Sequence, residues 1–203
     1  MLLSKSKHPI IGPFFNYNSG GFLNYYLHLS QAWQSLTNAQ ILAWNAAANT
    51  AEGRSVLGTK SKISGCNLFM RLNYWVVYCG GNIMTAVPTL TGVEAPADAT
   101  IALSSAAMTF TLPSIPSDVS NLKLIIQASE PQGNGITRAY SKAAAFDNPY
   151  TPVTTAIDIK SAYDNKNGAP SAGAPKVFFK YFYVNTATGE KSGEKMASAV
   201  LSA

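Results

Sequence analysis

Residues 36–48 read LTNAQILAWNAAA, and residues 65–73 read GCNLFMRLN. The first stretch opens with a capping box, in which Thr37 is the N-cap and Gln40 is the third helical residue. Both stretches carry apolar residues at helical spacing, so they predict two short helices. The stripes consist of Ala39, Leu42, Ala43 and Ala46 in the first helix and of Leu68, Leu72, Trp75 and Cys79 in the second. These faces are too small to form a core of their own, so we expect another surface to cover them, which favours assembly over catalysis.

The second helix should run from about Cys66 to Cys79, because Gly80 and Gly81 can cap its end. A polar loop of residues 50–64 should join it to the first helix. On one continuous helix the two cysteines lie about 20 Å apart, which is beyond the reach of a disulfide. They are the only cysteines in the chain. The sequence therefore predicts neither a disulfide nor a zinc site, and it favours two small core side chains.

Residues 1–35 combine many aromatic side chains with glycine, proline and asparagine. This stretch is too aromatic for a solvated disordered chain and has too many helix breakers for a helix. We expect an extended aromatic arm. It would pack either on a neighbouring subunit or, as a β-hairpin, on the body of its own chain.

The apolar period changes after Pro88, where short strand-like segments alternate with turn-forming residues. These segments are residues 101–103, 108–112, 122–128, 153–159, 177–184 and 197–201. Residues 185–189 should form a tight hairpin between the last two. The sequence thus predicts an α+β fold, with an arm at 1–35, a helical hairpin docking region at 36–90 and an antiparallel β-sandwich at 91–203.

Charged residues make up 12% of the 203 residues, about half of the usual ~25%. Low charge is typical of surfaces that face other proteins, although an extracellular β-rich module can be equally poor in charge, and we favour assembly. Residues 1–90 hold six basic residues and one acidic residue, whereas residues 91–203 hold nine of each. The basic residues are scattered and form no runs, so a solvated loop or an acidic partner is favoured over nucleic acid.

The residues needed for catalysis do not form any familiar pattern. His8 and His28 are the only histidines and lie in no motif, which argues against a nucleophilic triad. Residues 164–168 resemble a calcium loop, but Lys166 replaces a ligand oxygen, so a turn is favoured. The acidic residues mostly fall in predicted turns, and only Asp158 lies within a strand. We therefore expect a non-enzymatic protein without metal or cofactor.

The tyrosines of residues 91–203 have two interpretations. Exposed rings could stack on sugars, which would make this half a glycan- or host-binding module. Aromatic residues in strands more often fill the sandwich or cover one of its faces, and we favour that packing role. The residues concerned are Tyr140, Tyr150, Tyr163, Tyr181 and Tyr183. Lys180 suggests that its own strand has a solvated polar face.

No stretch of the sequence is apolar enough to cross a membrane. Residues 1–9 lack the apolar segment of a signal peptide. We therefore expect synthesis and use in the cytoplasm, unless a larger particle carries the protein out of the cell.

Residues 33–48 follow the pattern W-x-x-L-T-x-A-Q-x-x-A-W-N-x-x-A, and residues 65–73 follow G-x-N-L-F-x-x-L-N. Together with the basic loop between them, they resemble a signature of virion structural proteins from tailed phages of Bacteroidetes, crAss-like phages included. The C-terminal half resembles an immunoglobulin-like or fibronectin type III-like sandwich, most clearly over residues 176–192. The resemblance implies a virion component made in the cytoplasm of the host bacterium.

We therefore expect a structural protein at the head–tail connector, the tail or the capsid surface. It would contact other virion proteins and form a symmetric homo-oligomer, with no role for a membrane. The alternative is the glycan- or host-binding module, anchored to a particle by the N-terminal half. The expected assembly residues are Phe14, Phe15, Tyr17, Phe22, Tyr25, Tyr26, Trp33, Trp44, Phe69 and Trp75.

Overall fold

The computed structural model describes residues 21–54, 60–146 and 148–202. Residues 21–81, called the helical unit below, hold three α-helices and a short antiparallel strand pair. The helices are α1 (Gly21–Gln34), α2 (Asn38–Ala48) and α3 (Gly65–Tyr78). The strands are β1 (Glu52–Arg54) and β2 (Lys60–Lys62). They lie in the segment that the sequence predicted to be a plain loop.

The ends of the two predicted helices are confirmed. The Oγ1 of Thr37 accepts from the Gln40 amide at 3.3 Å, and the Gln40 side chain accepts from the Thr37 amide at 2.8 Å. At the end of α3, Gly80 adopts φ +83° and the Gly81 amide donates to the Val76 carbonyl at 2.8 Å. Glycine suits this left-handed position because it has no Cβ.

The prediction of an extended arm is wrong for residues 21–34, which form α1. Glycine and proline are absent from residues 22–34, so the helix breakers of this region all precede the helix interior. Tyr25 and Leu29, four residues apart, are buried against α3. Tertiary packing thus stabilises a helix that lacks a charged residue. The arm prediction for residues 1–20 lies outside the described residues.

Two antiparallel sheets follow the helical unit and pack as a β-sandwich, which confirms the predicted α+β fold class. The first sheet has the order β3-β4-β7 and the second has the order β6-β5-β8-β9. The strands of the first are β3 (Thr100–Leu103), β4 (Met108–Thr111) and β7 (Ile157–Asp158). Those of the second are β5 (Leu122–Ala128), β6 (Ala144–Ala145), β8 (Lys176–Asn185) and β9 (Lys195–Val200). β8 and β9 form the predicted hairpin.

Helix α4 (Lys160–Asn167) was not predicted, because residues 164–168 were interpreted as a turn. Two contacts stabilise this short helix. Asp158 accepts a hydrogen bond from the Lys160 amide at 2.9 Å. The Tyr163 ring is fully buried in the sandwich, and its hydroxyl donates to the Ser129 carbonyl at 2.8 Å. Tertiary packing therefore outweighs a sequence with low helix propensity.

Strand β8 is buried on both of its faces, so the predicted solvated face is wrong. One face, including Tyr181 and Tyr183, lies in the core between the sheets. On the other face, Phe182 and Val184 are fully buried beneath the end of α3. The molecule therefore has three layers over this region: helices, the four-stranded sheet and the three-stranded sheet.

Candidate assembly interface

Trp44 and Phe69, which were predicted to dock into neighbouring subunits, form the core of the helical unit. Both side chains are fully buried, and their ring centroids lie 5.3 Å apart at 84°. The Trp33 ring packs on Phe69 at 5.4 Å. The indole N–H of Trp44 donates to the Thr85 carbonyl at 2.9 Å. As an intermolecular surface the prediction is wrong for Trp44 and Phe69, because the chain itself covers both rings.

The polar residues of the two sequence motifs hold the same unit together. The Asn45 side chain accepts from the Gly65 amide at 3.2 Å. A Cβ on Gly65 would lie 2.6 Å from the Asn45 backbone nitrogen, so only glycine allows α2 and α3 to approach this closely. Asn73 is fully buried, and its amide side chain bonds the Met84 N–H at 2.6 Å and the Met84 carbonyl at 3.2 Å. These motif residues therefore specify the fold of the helical unit.

Trp75 is the predicted residue that contacts the sandwich. Its ring lies 5.1 Å from the Phe182 ring at 78°, an edge-to-face arrangement. Tyr78 and Cys79 pack beside it over Ile125 and Val184. The sheet residues Ile125, Phe182 and Val184 are called the acceptor face below. The apolar face of α3 thus packs on the outer face of the four-stranded sheet in the same chain. That face of the sheet was predicted to be solvated.

The β8–β9 hairpin also contacts α3. A Cβ on Gly189 would lie 2.6 Å from the carbonyl carbon of Leu72, which shows how closely the two backbones approach. The Lys191 ammonium lies 4.0 Å from the centre of the Phe182 ring and 5.9 Å from that of Trp75. Periodicity could not identify Phe182, Gly189 or Lys191, because strand patterns do not show what covers the outer face of a sheet.

The predicted apolar stripe of α2 faces outward. Leu42 is 67% exposed, whereas Trp44 and Ala48 on the opposite face are buried. The helix contains no charged residue. Its exposed side carries Ala39, Leu42, Ala43 and Ala46 together with Asn38 and Asn45. The chain itself therefore covers the Trp44 face of α2 and leaves the predicted stripe uncovered.

The remaining predicted residues are distributed along α1 or fall outside the described parts. Tyr25 is buried and Trp33 is half-buried, whereas Tyr26 is 42% exposed beside Tyr74. Phe22 belongs to α1, but its side chain is not described. Phe14, Phe15 and Tyr17 lie outside the described residues.

The tyrosines of the sandwich favour packing over sugar binding. Tyr163, Tyr181 and Tyr183 are buried. Burial raises the pKa of all three. The Tyr181 hydroxyl accepts from the Ala99 amide at 2.8 Å. Tyr140 packs edge-on against Phe178 at 5.1 Å. The three buried rings cannot stack on a ligand, which confirms the packing interpretation for them.

Cys66 and Cys79 are free thiols, as predicted, but both are half-buried and not core residues. Burial raises the pKa of Cys79 to about 12, with a smaller opposing effect of Lys123, and burial also raises the pKa of Cys66. Both thiols therefore stay protonated at neutral pH. Within the described ranges, no group of three or more His, Cys, Asp or Glu residues could hold a metal ion. None of the described helices is both long and apolar enough to span a membrane.

No protein-family model matches the chain, and no curated protein or solved structure is significantly similar to it. The contacts and exposed surfaces described above are therefore the basis for a functional proposal.

Proposed function

We propose that this protein is a non-enzymatic structural component of a tailed-phage virion that assembles through its helical unit. The observation that carries the proposal is the exposed, uncharged face of α2, with Leu42 at its centre. The sandwich would then act as a spacer or as a second contact surface. The head–tail connector, the tail and the capsid surface are all compatible positions.

The outer face of a surface helix normally carries charged and polar side chains. On α2 that face carries three alanines and one leucine beside Asn38 and Asn45, and it has no charged residue. Apolar surface of this kind is typical of a contact with another protein, because charge is depleted from interface cores. The low charged fraction of the whole chain, 12%, agrees with extensive contact surfaces.

The phage-like motifs support the proposal indirectly. Trp44, Asn45, Gly65 and Asn73 make contacts within the chain that build the helical unit. On this proposal, the motif residues shared with the phage proteins specify the fold of the region that attaches to the particle. The surface that this fold leaves exposed, including Leu42, is then the part available to a partner.

A substitution on α2 tests the proposal in assembled particles. Leu42→Glu places a charge on the exposed face without removing a buried contact. We expect incorporation into purified virions to fall on the order of tenfold or more, the effect of about 1.4 kcal/mol of lost binding. Quantitative immunoblotting with an antibody against residues 91–203 measures it.

Ile136→Glu is the matched control, because Ile136 is also exposed, at 42%, but lies in a loop of the sandwich. Circular dichroism checks that both variants are folded. Normal incorporation of a folded Leu42→Glu chain would argue against attachment through α2. Absence of the wild-type chain from purified virions would refute the virion role itself.

A further inference from the structure

The helical unit and the sandwich have separate hydrophobic cores. Trp44, Phe69 and their neighbours form the first. Phe110, Tyr181 and the other residues between the two sheets form the second. A unit with its own core can separate from its neighbour without unfolding. The two cores are therefore separate, although α3 and the connecting chain link the units.

The contact between the units is largely apolar. On the sandwich it consists of the acceptor face, whose three residues are buried. On the helical unit it consists of half-buried Trp75, Tyr78 and Cys79. The tip of the β8–β9 hairpin adds the close backbone approach of Gly189 to Leu72. If the units separated, the acceptor face would be exposed to water, which is unfavourable. An open copy is therefore stable only when another helical unit covers that face.

The linker between the units is fixed at two points. At its start, Met84 is held by Asn73 and Thr85 by Trp44, so this part moves with the helical unit. At its end, the amides of Thr91 and Gly92 donate to the Glu190 carboxylate at 3.1 and 3.0 Å, so this part moves with the sandwich.

The residues between these fixed points form a natural hinge. Val87 packs on the core of the helical unit, so the free residues are 88–90. Within the described structure these residues make no hydrogen bond, and Leu90 is 45% exposed. Three extended residues span about 10 Å. A change of backbone direction at these residues can therefore move the helical unit relative to the sandwich while both ends of the linker keep their anchors.

We propose that two copies of this chain exchange helical units, so that Trp75 of each copy packs on Phe182 of the other. The inference rests on the proposed assembly role. A reciprocal exchange has two-fold symmetry and leaves neither acceptor face uncovered. High local concentration in a particle favours it by mass action, because the contacts within and between chains are the same.

The experiment uses the purified full-length chain, in native mass spectrometry and sedimentation up to about 1 mM, the range of tethered effective concentrations. We expect the wild-type dimer fraction to rise with concentration. Trp75→Glu removes the contact that joins the units in both forms, so it should leave monomers in which the two units are undocked. Deletion of Thr89 and Leu90 should increase the dimer, because a shortened hinge strains docking within one chain. A Gly-Ser insertion after Thr89 is the control and should favour the monomer.

A wild-type chain that stays monomeric over this range overturns the exchange. So does a dimer that persists after Trp75→Glu, because it then uses another surface. The result is independent of the virion experiment. A monomeric chain found in virions would refute the exchange alone, and an exchanging chain absent from virions would refute only the virion role.

Discussion

At the scale of single residues, Gly189 is decisive for the contact between the hairpin and α3. Its φ of +71° is left-handed, and an added Cβ would lie within 3 Å of the Leu72 carbonyl carbon and Cα. Backbone atoms of a helix cannot rotate away as a side chain can. We therefore expect Gly189→Ala to lower the free energy of unfolding by about 2–4 kcal/mol, measured by urea denaturation.

Gly80→Ala separates the backbone strain of a left-handed φ from the steric clash with Leu72. Gly80 also has a left-handed φ, +83°, but nothing lies within 4 Å of the position of its Cβ. The substitution should cost only the backbone strain, about 1–2 kcal/mol. Equal losses in the two variants would show that the close approach to Leu72 contributes nothing.

Asn73 is a buried polar residue whose role can be tested directly. Asn73→Leu keeps the approximate shape but leaves the N–H and carbonyl of Met84 without their side-chain partner. We expect a loss of about 1–3 kcal/mol in unfolding free energy, the cost of unpaired polar groups in a partly buried site. Asn67→Ala is the control on the same helix, because Asn67 is exposed. It should change stability by less than about 0.5 kcal/mol. Similar effects of the two substitutions would contradict the proposed anchoring of the linker.

At the scale of helices and strands, local signals were predictive and contacts between distant residues were not. The capping box of Thr37 and the glycines after α3 determine helix ends through neighbouring backbone groups, so the sequence contains them. By contrast, α1 depends on burial of Leu29 against α3, and α4 on burial of Tyr163. Such tertiary contacts are invisible to a single-sequence period.

The same reason explains the errors in the candidate site. Trp44 and Leu42 lie two residues apart on α2, and the sequence pattern predicted that another surface covers both of their faces. Which face the chain itself covers depends on the positions of Phe69 and Thr85, which are 25 and 41 residues from Trp44. The sequence therefore predicted that α2 is an apolar helix, but it could not predict which of its faces the chain itself buries.

The β8–β9 hairpin should lose stability in acid. Glu194 is half-exposed near Lys191, and the hydrogen bond from Lys191 is the main cause that lowers the Glu194 pKa below its ordinary value of 4.5. A lowered pKa stabilises the folded state above pH 4.5, and this contribution disappears as pH falls through the folded pKa. We expect Glu194→Gln to reduce the pH dependence of the urea midpoint in that window. An unchanged slope would show that this ion pair does not couple protonation to folding.

At the scale of the whole molecule, the helical unit and the sandwich have separate cores, so we expect each to unfold as its own cooperative unit. Trp44 belongs to the core of the helical unit, and Trp75 belongs to the contact between that unit and the sheet. Trp44→Ala should remove about 3–5 kcal/mol from the helical unit. We therefore expect amide hydrogen exchange to lose protection in α2 and α3, while protection in β5 and β8 persists. Loss of protection in β8 as well would show that both units unfold as one body.

Trp75→Ala should act differently, because both cores stay intact when the ring on Phe182 is removed. Protection in α2 and in β8 should then persist, but the two units should melt at separate temperatures in calorimetry. The contact between layers couples the units only through the acceptor face and the hairpin tip, so weakening it separates their transitions. If Trp75→Ala instead unfolded the helical unit as Trp44→Ala does, the α3–sheet contact would belong to the helical core. The exchange of helical units between copies would then require unfolding, which the separate cores argue against.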